Sequence, residues 1–252
     1  KGVGHEALGT PVDVVFVIHF GSRPFDQFGR ANPFDLSAFI PAFDDSRIRL
    51  NWGTTANTVT DAAITITSAI GYLTVYQVLG TKAEIRQEMF RQGIAQPMIP
   101  VSSYKSYGHS ANFSDLSSEH DVPTGAYLRR IALLTVDESS PTLRANDEVA
   151  QVGVKLPVGN QRVFQDDFRA MAHTDGGAID DLAEIDVGVT TGVVRTSGGF
   201  GVVDLRQHGH PDYGLDLREM KTGDVKLGLT IENYASGDAT YIWYDQVRPY
   251  QL

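Results

Sequence analysis

Short apolar segments in which every second residue is hydrophobic recur along most of this 252-residue chain, bounded by Gly, Pro, Asn and Asp. Successive side chains of a β-strand point to opposite faces, so this period is typical of strands that bury one face. The sequence therefore predicts an all-β fold. The predicted strands cover residues 12–20, 48–52, 63–67, 72–78, 127–136, 149–156, 187–194, 200–205, 225–231 and 240–247.

Two stretches carry helical patterns instead. Thr81 and Glu84 have the spacing of a capping box, and Gly93 is a stop signal, so we expect a helix of about three turns between them. A second helix is predicted at residues 162–173, because its apolar residues share one helical side. These residues are Val163, Phe164, Phe168 and Met171.

A serine-rich polar segment covers residues 102–119. It fits a linker, and it fits equally a long edge strand with its turn, because it contains aromatic residues that a strand could bury. A domain boundary is better supported at residues 80–101, where the capped helix and two prolines interrupt the rhythm of the strands.

The composition excludes several classes of function. The chain has 21 basic and 31 acidic residues, a net charge of -10, and we find no run of five basic residues. We therefore expect no direct contact with nucleic acid, whose phosphates require a basic surface. The lack of cysteine excludes disulfides and thiolate metal sites. The apolar runs are too short to span a bilayer.

Two distant stretches share one order of elements. A strand at 12–20 leads to Asp35-Leu36 and then to strands at 48–52 and 72–78; a strand at 200–205 leads to Asp216-Leu217 and then to strands at 225–231 and 240–247. Strands keep their length while turns accept insertions, so two copies of one β-sandwich would leave this pattern. Chance is the alternative, because all antiparallel domains alternate. Each aspartate is predicted to set a turn at a strand start.

Residues 100–252 resemble one vertical jelly roll of the double jelly-roll major capsid proteins of the tectivirus, corticovirus and adenovirus lineage. The resemblance lies in a polar segment before the long strand at 127–137, in a strand and helix at 149–173, and in a closing series of strands. That series contains Val202-Val203-Asp204-Leu205, Asp216-Leu217, Val225-Lys226-Leu227-Gly228-Leu229 and residues 241–247.

The resemblance implies two eight-stranded jelly rolls in tandem with two short helices. Residues 1–80 would form the first roll, 81–100 the helix and linker, and 101–252 the second roll. Residues 1–80 match only the closing strands of a roll. We therefore expect its opening strands upstream of Lys1, since a sandwich lacking half its strands would expose unpaired backbone.

The same resemblance implies a structural virion protein and not an enzyme, with no catalytic residues and no cofactor. Three chains would form a pseudo-hexameric capsomer of an icosahedral shell assembled in the host cytoplasm. The implied partners are further copies of the chain, minor capsid or vertex proteins, and an internal viral membrane.

His208 and His210 are the strongest candidates for metal ligands, with Asp212 and Asp216 close by. On a strand, His-x-His points both imidazoles to one face, as in cupins, which are also jelly rolls. The glutamate that cupins place after the second histidine is missing, and Gly209-His210-Pro211 is typical of a turn. A solvated loop is favoured, and a cupin-type metalloenzyme remains the weaker alternative.

Three acidic stretches, at 43–47, 165–168 and 178–186, fit no calcium-loop template and are interpreted as solvated loop charges. Trp52 and Trp243 are predicted to be core residues. A β-sandwich carbohydrate-binding or glycoside-hydrolase module is the main alternative function. Its aromatic platform would use Tyr104, Tyr107 or Tyr241.

Overall fold

The computed structural model describes residues 21, 35–40, 77–137, 143–144, 148–157, 161–168, 170–171, 185–186, 193–194 and 199–250. The predicted strands at 12–20, 48–52 and 63–67 lie outside these residues, as do residues 72–76 of the next one. Within the described part, no helix has the length and apolar character needed to cross a bilayer.

One helix and twelve strands follow each other along the described chain. They are α1 (Lys82–Arg91), β1 (Met98–Gly108), β2 (Phe113–Asp121), β3 (Tyr127–Asp137), β4 (Leu143–Arg144), β5 (Val149–Lys155), β6 (Arg162–Asp167), β7 (Ile185–Asp186), β8 (Val193–Val194), β9 (Phe200–Asp204), β10 (Leu215–Asp216), β11 (Lys226–Ile231) and β12 (Ala239–Pro249). A 3-10 helix, Leu205–His208, follows β9. The prediction of an all-β protein is confirmed.

The strands form two main sheets in which neighbours are antiparallel. Sheet one has the order β1-β12-β3-β10, with β4 and β9 also paired to β3, and sheet two has the order β2-β11-β5-β6. The short strands β7 and β8 pair with each other. Eight strands remain when the two-residue strands β4, β7, β8 and β10 are set aside.

These eight strands pair in a nested series. The first pairs with the last (β1 with β12), the second with the seventh (β2 with β11), the third with the sixth (β3 with β9) and the fourth with the fifth (β5 with β6). This is a long hairpin rolled into two sheets, which defines a jelly roll. The predicted jelly roll is therefore present within residues 98–249.

The core lies between the two sheets and is made of buried aliphatic and aromatic side chains. Its members include Leu128, Ile131, Leu133, Val152, Val154, Val203, Leu205, Leu227, Leu229, Ile231, Ile242 and Tyr244. Alternate residues of β3, β11 and β12 point inward, as the period of the sequence predicts. The predicted strands at 127–136, 149–156, 200–205, 225–231 and 240–247 match the observed ones to within two residues.

The serine-rich segment is not a linker. It forms β1 and β2, which are the edge strands of the two sheets, so the second of the two interpretations is correct. The helix before it is also as predicted: the Thr81 hydroxyl accepts from the Glu84 amide, and the Glu84 carboxylate accepts from the Thr81 amide at 2.7 Å. Both orphan amides at the start of α1 are thereby satisfied.

The predicted second helix at 162–173 is wrong for its first half. Residues Arg162–Asp167 form β6, which pairs with β5, and helical backbone is described only at residues 168, 170 and 171. The free edge of β5 supplies ladder hydrogen bonds, and these outweigh the helical spacing of a few apolar residues. Phe168 and Met171 are buried in the core, three positions apart.

Residues 35–40 cover one end of the outer side of sheet one. The Phe39 amide donates to the Met98 carbonyl at 3.0 Å, which ties this segment to the first residue of β1. Ala38 packs with Met98, Val247 and Tyr213 in a small cluster separate from the main core. Leu36 packs with Met89 of α1 and Ile94, so the helix is held at the same end.

Asp35 and Asp216 make the same local turn. The Asp35 carboxylate accepts from the Ser37 amide at 2.9 Å, and the Asp216 carboxylate accepts from the Arg218 amide at 3.1 Å. The leucine that follows each aspartate is buried. Both aspartates set turns as predicted, but neither turn is at the start of a strand, because Asp216 ends β10 and residues 35–40 contain no strand.

Candidate assembly surface

The outer side of sheet one carries apolar side chains. In β12, Ile242 and Tyr244 belong to the core, so the alternate residues Tyr241 and Trp243 point away from it. The same parity turns Tyr104 of β1 outward. None of these outward residues packs against the main core.

The strand register arranges the outward residues in two rows that cross four strands. Trp243 lies opposite Tyr104 on one side and Ala132 on the other, and Ala132 lies opposite Val202. The next row consists of Ser106, Tyr241, Leu134 and Phe200. We call the seven apolar residues the apolar face: Tyr104, Trp243, Ala132, Val202, Tyr241, Leu134 and Phe200. From strand and residue spacings it measures about 20 Å by 14 Å.

Three rings dominate the apolar face. Tyr104 is 51% exposed and Trp243 is 38% exposed. The centroid of the Tyr104 ring lies 5.3 Å from that of Trp243 and 6.1 Å from that of Tyr241, to which it is nearly parallel. Partial burial, together with the neighbouring Tyr241 hydroxyl, raises the pKa of Tyr104. Two exposed rings in contact with a half-buried third are typical of an interaction surface.

The prediction that Trp243 is a core residue is wrong. The inward position in this part of β12 is taken by Tyr244, which is fully buried. Strand parity, and not hydrophobicity, decides which of two adjacent aromatic residues enters the core. Trp52 lies outside the described residues.

A row of polar and charged residues borders the apolar face. Ser102, Asp245, Arg130 and Asp204 lie opposite one another on β1, β12, β3 and β9. An irregularity in the pairing of β3 and β12 follows Asp245. Next to it, Arg129, with a side chain only 2% exposed, donates from its Nη2 atom to the Asp245 carboxylate at 2.6 Å.

The border is paired internally. Burial would raise the pKa of Asp204, but hydrogen bonds from Arg206 outweigh it and hold that pKa below its usual value. Burial and the nearby Arg206 guanidinium lower the pKa of Arg130, against the attraction of Asp245. The border therefore combines three arginines with two aspartates, so it lacks the net negative charge of the chain as a whole.

The outer side of sheet two presents different side chains from the outer side of sheet one. Leu116 of β2 is fully buried although its strand is at an edge, because it folds over glycines 153 and 228 of the neighbouring strands. The Lys155 ammonium donates to the Leu116 carbonyl at 2.9 Å and to the Glu119 carboxylate at 2.8 Å. The outer side of sheet two therefore has its glycine positions covered by Leu116 and carries charged side chains, which suits contact with water.

A second exposed apolar group lies at α1. Phe90 is 85% exposed on the helix and Leu79 is 82% exposed just before it, with Val78 and Ile40 also exposed. Met89, on the other side of the helix, is buried against Leu36.

The structure does not place the two candidate metal ligands on a strand. His208 ends the 3-10 helix, and His210 opens a turn in which its amide donates to the Gly214 carbonyl at 2.8 Å. The His208 ring meets Phe164 edge-on, and the His210 ring stacks on Tyr213 with centroids 4.4 Å apart. The predicted turn is confirmed, and the strand on which the cupin alternative depended is not formed.

The two neighbouring aspartates have other partners. The Asp212 amide donates to Nδ1 of His210 at 3.1 Å, and the Asp216 carboxylate binds the Arg218 guanidinium at 2.7 Å. Hydrogen bonds from Arg218 lower the pKa of Asp216. Among the described residues, no three His, Asp or Glu side chains are grouped so that they could hold a metal ion.

The tyrosines and acidic residues that the sequence analysis also singled out lie in different parts of the fold. Tyr104 and Tyr241 meet on the apolar face, whereas Tyr107 packs against the core. Asp166 and Asp167 are exposed as expected, but on β6 and not in a loop. The acidic stretch at 43–47 and most of that at 178–186 lie outside the described residues.

One buried histidine, His109, and one half-buried histidine, His120, were missed by sequence reasoning. His109 Nε2 lies 2.8 Å from the Thr240 hydroxyl, and His120 Nε2 lies 3.1 Å from the Ser118 hydroxyl. The His120 ring is in contact with that of Tyr107, with centroids 3.9 Å apart. Burial, with help from His109 and Lys105, lowers the pKa of His120 to about 4. His120 lies on the edge strand β2 between Glu119 and Asp121, and His109 directly follows β1, so neither position gave a signal of burial.

Neither a protein-family model nor a curated protein matches the chain. Solved structures do. A chain of the STIV MCP crystal structure is 16% identical, with 64% of this chain and 47% of that chain covered and a TM-score of 0.44. A chain of the atomic structure of Sulfolobus Turreted Icosahedral Virus is 15% identical over 64% and 44%, with a TM-score of 0.45.

A chain of the quasi-atomic PBCV-1 virus capsid is 8% identical over 64% of this chain and 51% of that chain, with a TM-score of 0.38. This chain therefore spans about half the length of the solved chains it matches. The jelly-roll assignment rests on the nested strand pairing of the chain itself.

Proposed function

We propose that this chain is a viral major capsid protein that works by assembling with copies of itself. The observation that carries the proposal is the apolar face. A sandwich that functions as a monomer presents a polar outer surface on both sheets, as sheet two does here. Sheet one instead presents two contiguous rows of apolar side chains across four strands.

The framework suits a shell. Two packed sheets make a stiff block, and its loops can change length without disturbing the core. The acidic net charge fits a layer that leaves contact with the genome to other components. No catalytic residue is assigned: within the described part of the chain, His210 and Asp212 are joined in one turn, and Asp216 is paired with Arg218.

The finer organisation is also part of the proposal. Residues 1–80 form a first roll, 81–100 the helix and linker, and 101–252 a second roll. The matching turns at Asp35 and Asp216, each followed by a buried leucine, support the duplication of one β-sandwich within the chain. Two rolls per chain give a trimer six similar lobes, and such a trimer fills a site with six neighbours. Vertex proteins and an internal membrane complete the proposed assembly.

Size-exclusion chromatography with light scattering tests the function, followed by electron microscopy of the assembled fractions. We expect a trimer or larger species, and shells once the remaining virion components are co-expressed. A monomer at every concentration overturns the proposal. If that monomer binds glycans, the carbohydrate-binding alternative is supported; if it shows turnover that a chelator abolishes, the cupin alternative is.

A further inference from the structure

The two edge strands β1 and β2 lie next to each other along one side of the sandwich. No strand pairing joins them within the described residues, so side chains close this side. The Lys105 ammonium of β1 donates to the Asp121 carbonyl of β2 at 3.0 Å, and the Tyr107 ring packs on the His120 ring. We call residues 117–121 of β2 the flap, because these contacts hold them against β1.

The two strands differ in how firmly their own sheets hold them. Strand β1 pairs with β12 through eleven consecutive residue pairs, from Met98 to Gly108. Strand β2 pairs with β11 continuously only from Ser118 to Asp121, and a shift in register separates these pairs from the last one, at Phe113. A short ladder at a sheet edge opens at a lower free energy than a long one. The flap is therefore the part of this side that can move.

The flap is anchored at both ends. Leu116, before it, is fully buried, and its amide donates to the Thr230 hydroxyl at 3.0 Å. Val122, after it, is also fully buried, and its amide donates to the Val225 carbonyl at 3.0 Å. Asp115 and Leu116 both have positive φ, 53° and 59°, so the backbone already turns where the flap begins. An opening between these anchors stays local.

The charged groups around His120, in the described part of the chain, disfavour its protonation in place. Lys105 is a cation and His109 becomes one in acid, and both oppose a charged His120. Asp121 favours the charge, but its carboxylate is already bound to Lys226 of β11. A protonated ring therefore finds no unpaired carboxylate among these groups.

The other ionisable groups on this side do not compensate. Glu119, the next residue on the flap, is bound by Lys155 at 2.8 Å. Burial raises the pKa of Tyr244 of β12, so its hydroxyl stays neutral. Burial lowers the pKa of His109, and Asp238 opposes that shift. The nearby acid Asp238 thus acts on the other histidine.

We propose that protonation of His120 opens the flap while the rest of the sandwich stays folded. A charged imidazole is hydrated once the flap leaves β1, and it then lies farther from Lys105. Burial, with help from His109 and Lys105, lowers the pKa of His120 to about 4, which reflects the same preference. Acid would expose the Tyr107 ring and the edge of β11, both covered at neutral pH. All these contacts lie within one chain, so the flap does not depend on the proposed function.

Hydrogen exchange of the full chain, followed by mass spectrometry and corrected for the intrinsic chemical rate, tests the flap. The open ring binds a proton near pH 6.5 and the closed ring near pH 4. Protection of the flap amides should therefore fall at least about tenfold between pH 7 and about pH 4. Low concentrations of urea should not change exchange in the flap, but should accelerate exchange in β3 and β12, which requires global unfolding.

Two histidine variants identify the group that titrates. His120→Gln should remove the effect of acid on the flap, because the amide takes up no proton in this range. His208→Gln removes an exposed histidine outside the flap and is the matched control, so it should open in acid as the wild type does. Thermal melting at pH 7 establishes that both variants fold.

Three results would overturn the proposal. The first is a wild type whose flap is equally protected at both pH values. The second is acid-induced exchange of the flap with the same urea dependence as β3 and β12, since the opening would then be global. The third is acid-induced opening that persists in His120→Gln, because another group would then be responsible.

Discussion

Leu116 lies directly over Gly153 on the outer side of sheet two. A Cβ atom placed on Gly153 would come within 2.6 Å of Leu116 Cδ1, far closer than two carbon atoms pack. Leu116 itself has a positive φ of 59°, which turns its side chain out of the line of its edge strand and onto the sheet. The leucine thus replaces the side chain that Gly153 lacks.

Gly153→Ala should therefore lower the free energy of unfolding by about 1–3 kcal/mol, the usual cost of overpacking. Urea denaturation measures it. Gly108→Ala is the matched control in β1, where a Cβ would meet nothing within 4 Å. Shortening Leu116 to Ala removes the obstacle, so the double variant should lose less than the two single losses combined. Equal losses in Gly153→Ala and Gly108→Ala would contradict this packing.

Gly214→Ala should be more damaging than Gly153→Ala. Gly214 has φ of 74°, and a Cβ there would lie 2.2 Å from the Leu128 carbonyl oxygen, a backbone atom fixed within β3. Gly125→Ala measures the cost of a positive φ by itself, since Gly125 has φ of 81° but nothing within 4 Å of its added Cβ. We expect a loss of about 1 kcal/mol at Gly125 and of about 3 kcal/mol or more at Gly214. Similar melting temperatures for the two variants would count against the steric account.

Acid should destabilise the fold through His120, which is half-buried, and through His109, which is buried. The folded pKa of His120 is about 4, below the 6.5 of an unfolded histidine, so the unfolded chain binds more protons between these values. The stabilisation of the fold by neutral His120 is fully present above pH 6.5 and is lost as the pH falls toward 4. Below pH 4 the free energy of unfolding changes no further through this group. His109, whose pKa burial also lowers, acts in the same direction.

Partial solvent contact of His120 limits the loss to about 1–2 kcal/mol between pH 7 and 4.5. His120→Gln keeps a neutral partner for the Ser118 hydroxyl and should flatten the dependence of unfolding free energy on pH. An unchanged slope in that variant would show that other groups titrate in this window.

The sequence alone was enough to predict most of the strands and the helix, but not which side chains lie on the outer surfaces of the sheets. The alternation in residues 127–136 and 240–247 predicted β3 and β12 almost to their ends, and the Thr81 and Glu84 pair predicted the start of α1. These signals are local, since each depends on a period or a spacing within one element. The positions of Asp35 and Asp216 in turns were predictable for the same reason.

The apolar face depends on register and on parity across four strands, which no single segment encodes. Trp243 and Tyr244 are adjacent and both aromatic, and only the pairing with β1 and β3 turns one outward and the other inward. Likewise, β6 could not be distinguished from a helix until β5 offered it an edge. Long-range pairing outweighed local preference at both places.

Asp245 should matter far more to stability than Asp121, although both aspartates pair with a cation across strands. Asp245 is bound by Arg129, which is almost fully buried, so Asp245→Asn removes the carboxylate charge from a buried ion pair at a cost of about 2–4 kcal/mol. Asp121 binds Lys226 where both side chains contact water, so Asp121→Asn should cost much less than Asp245→Asn. Chemical denaturation of both variants gives the comparison, and 1 M salt should weaken only the Asp121 pair noticeably. Equal losses would mean that the Arg129 charge is satisfied without Asp245.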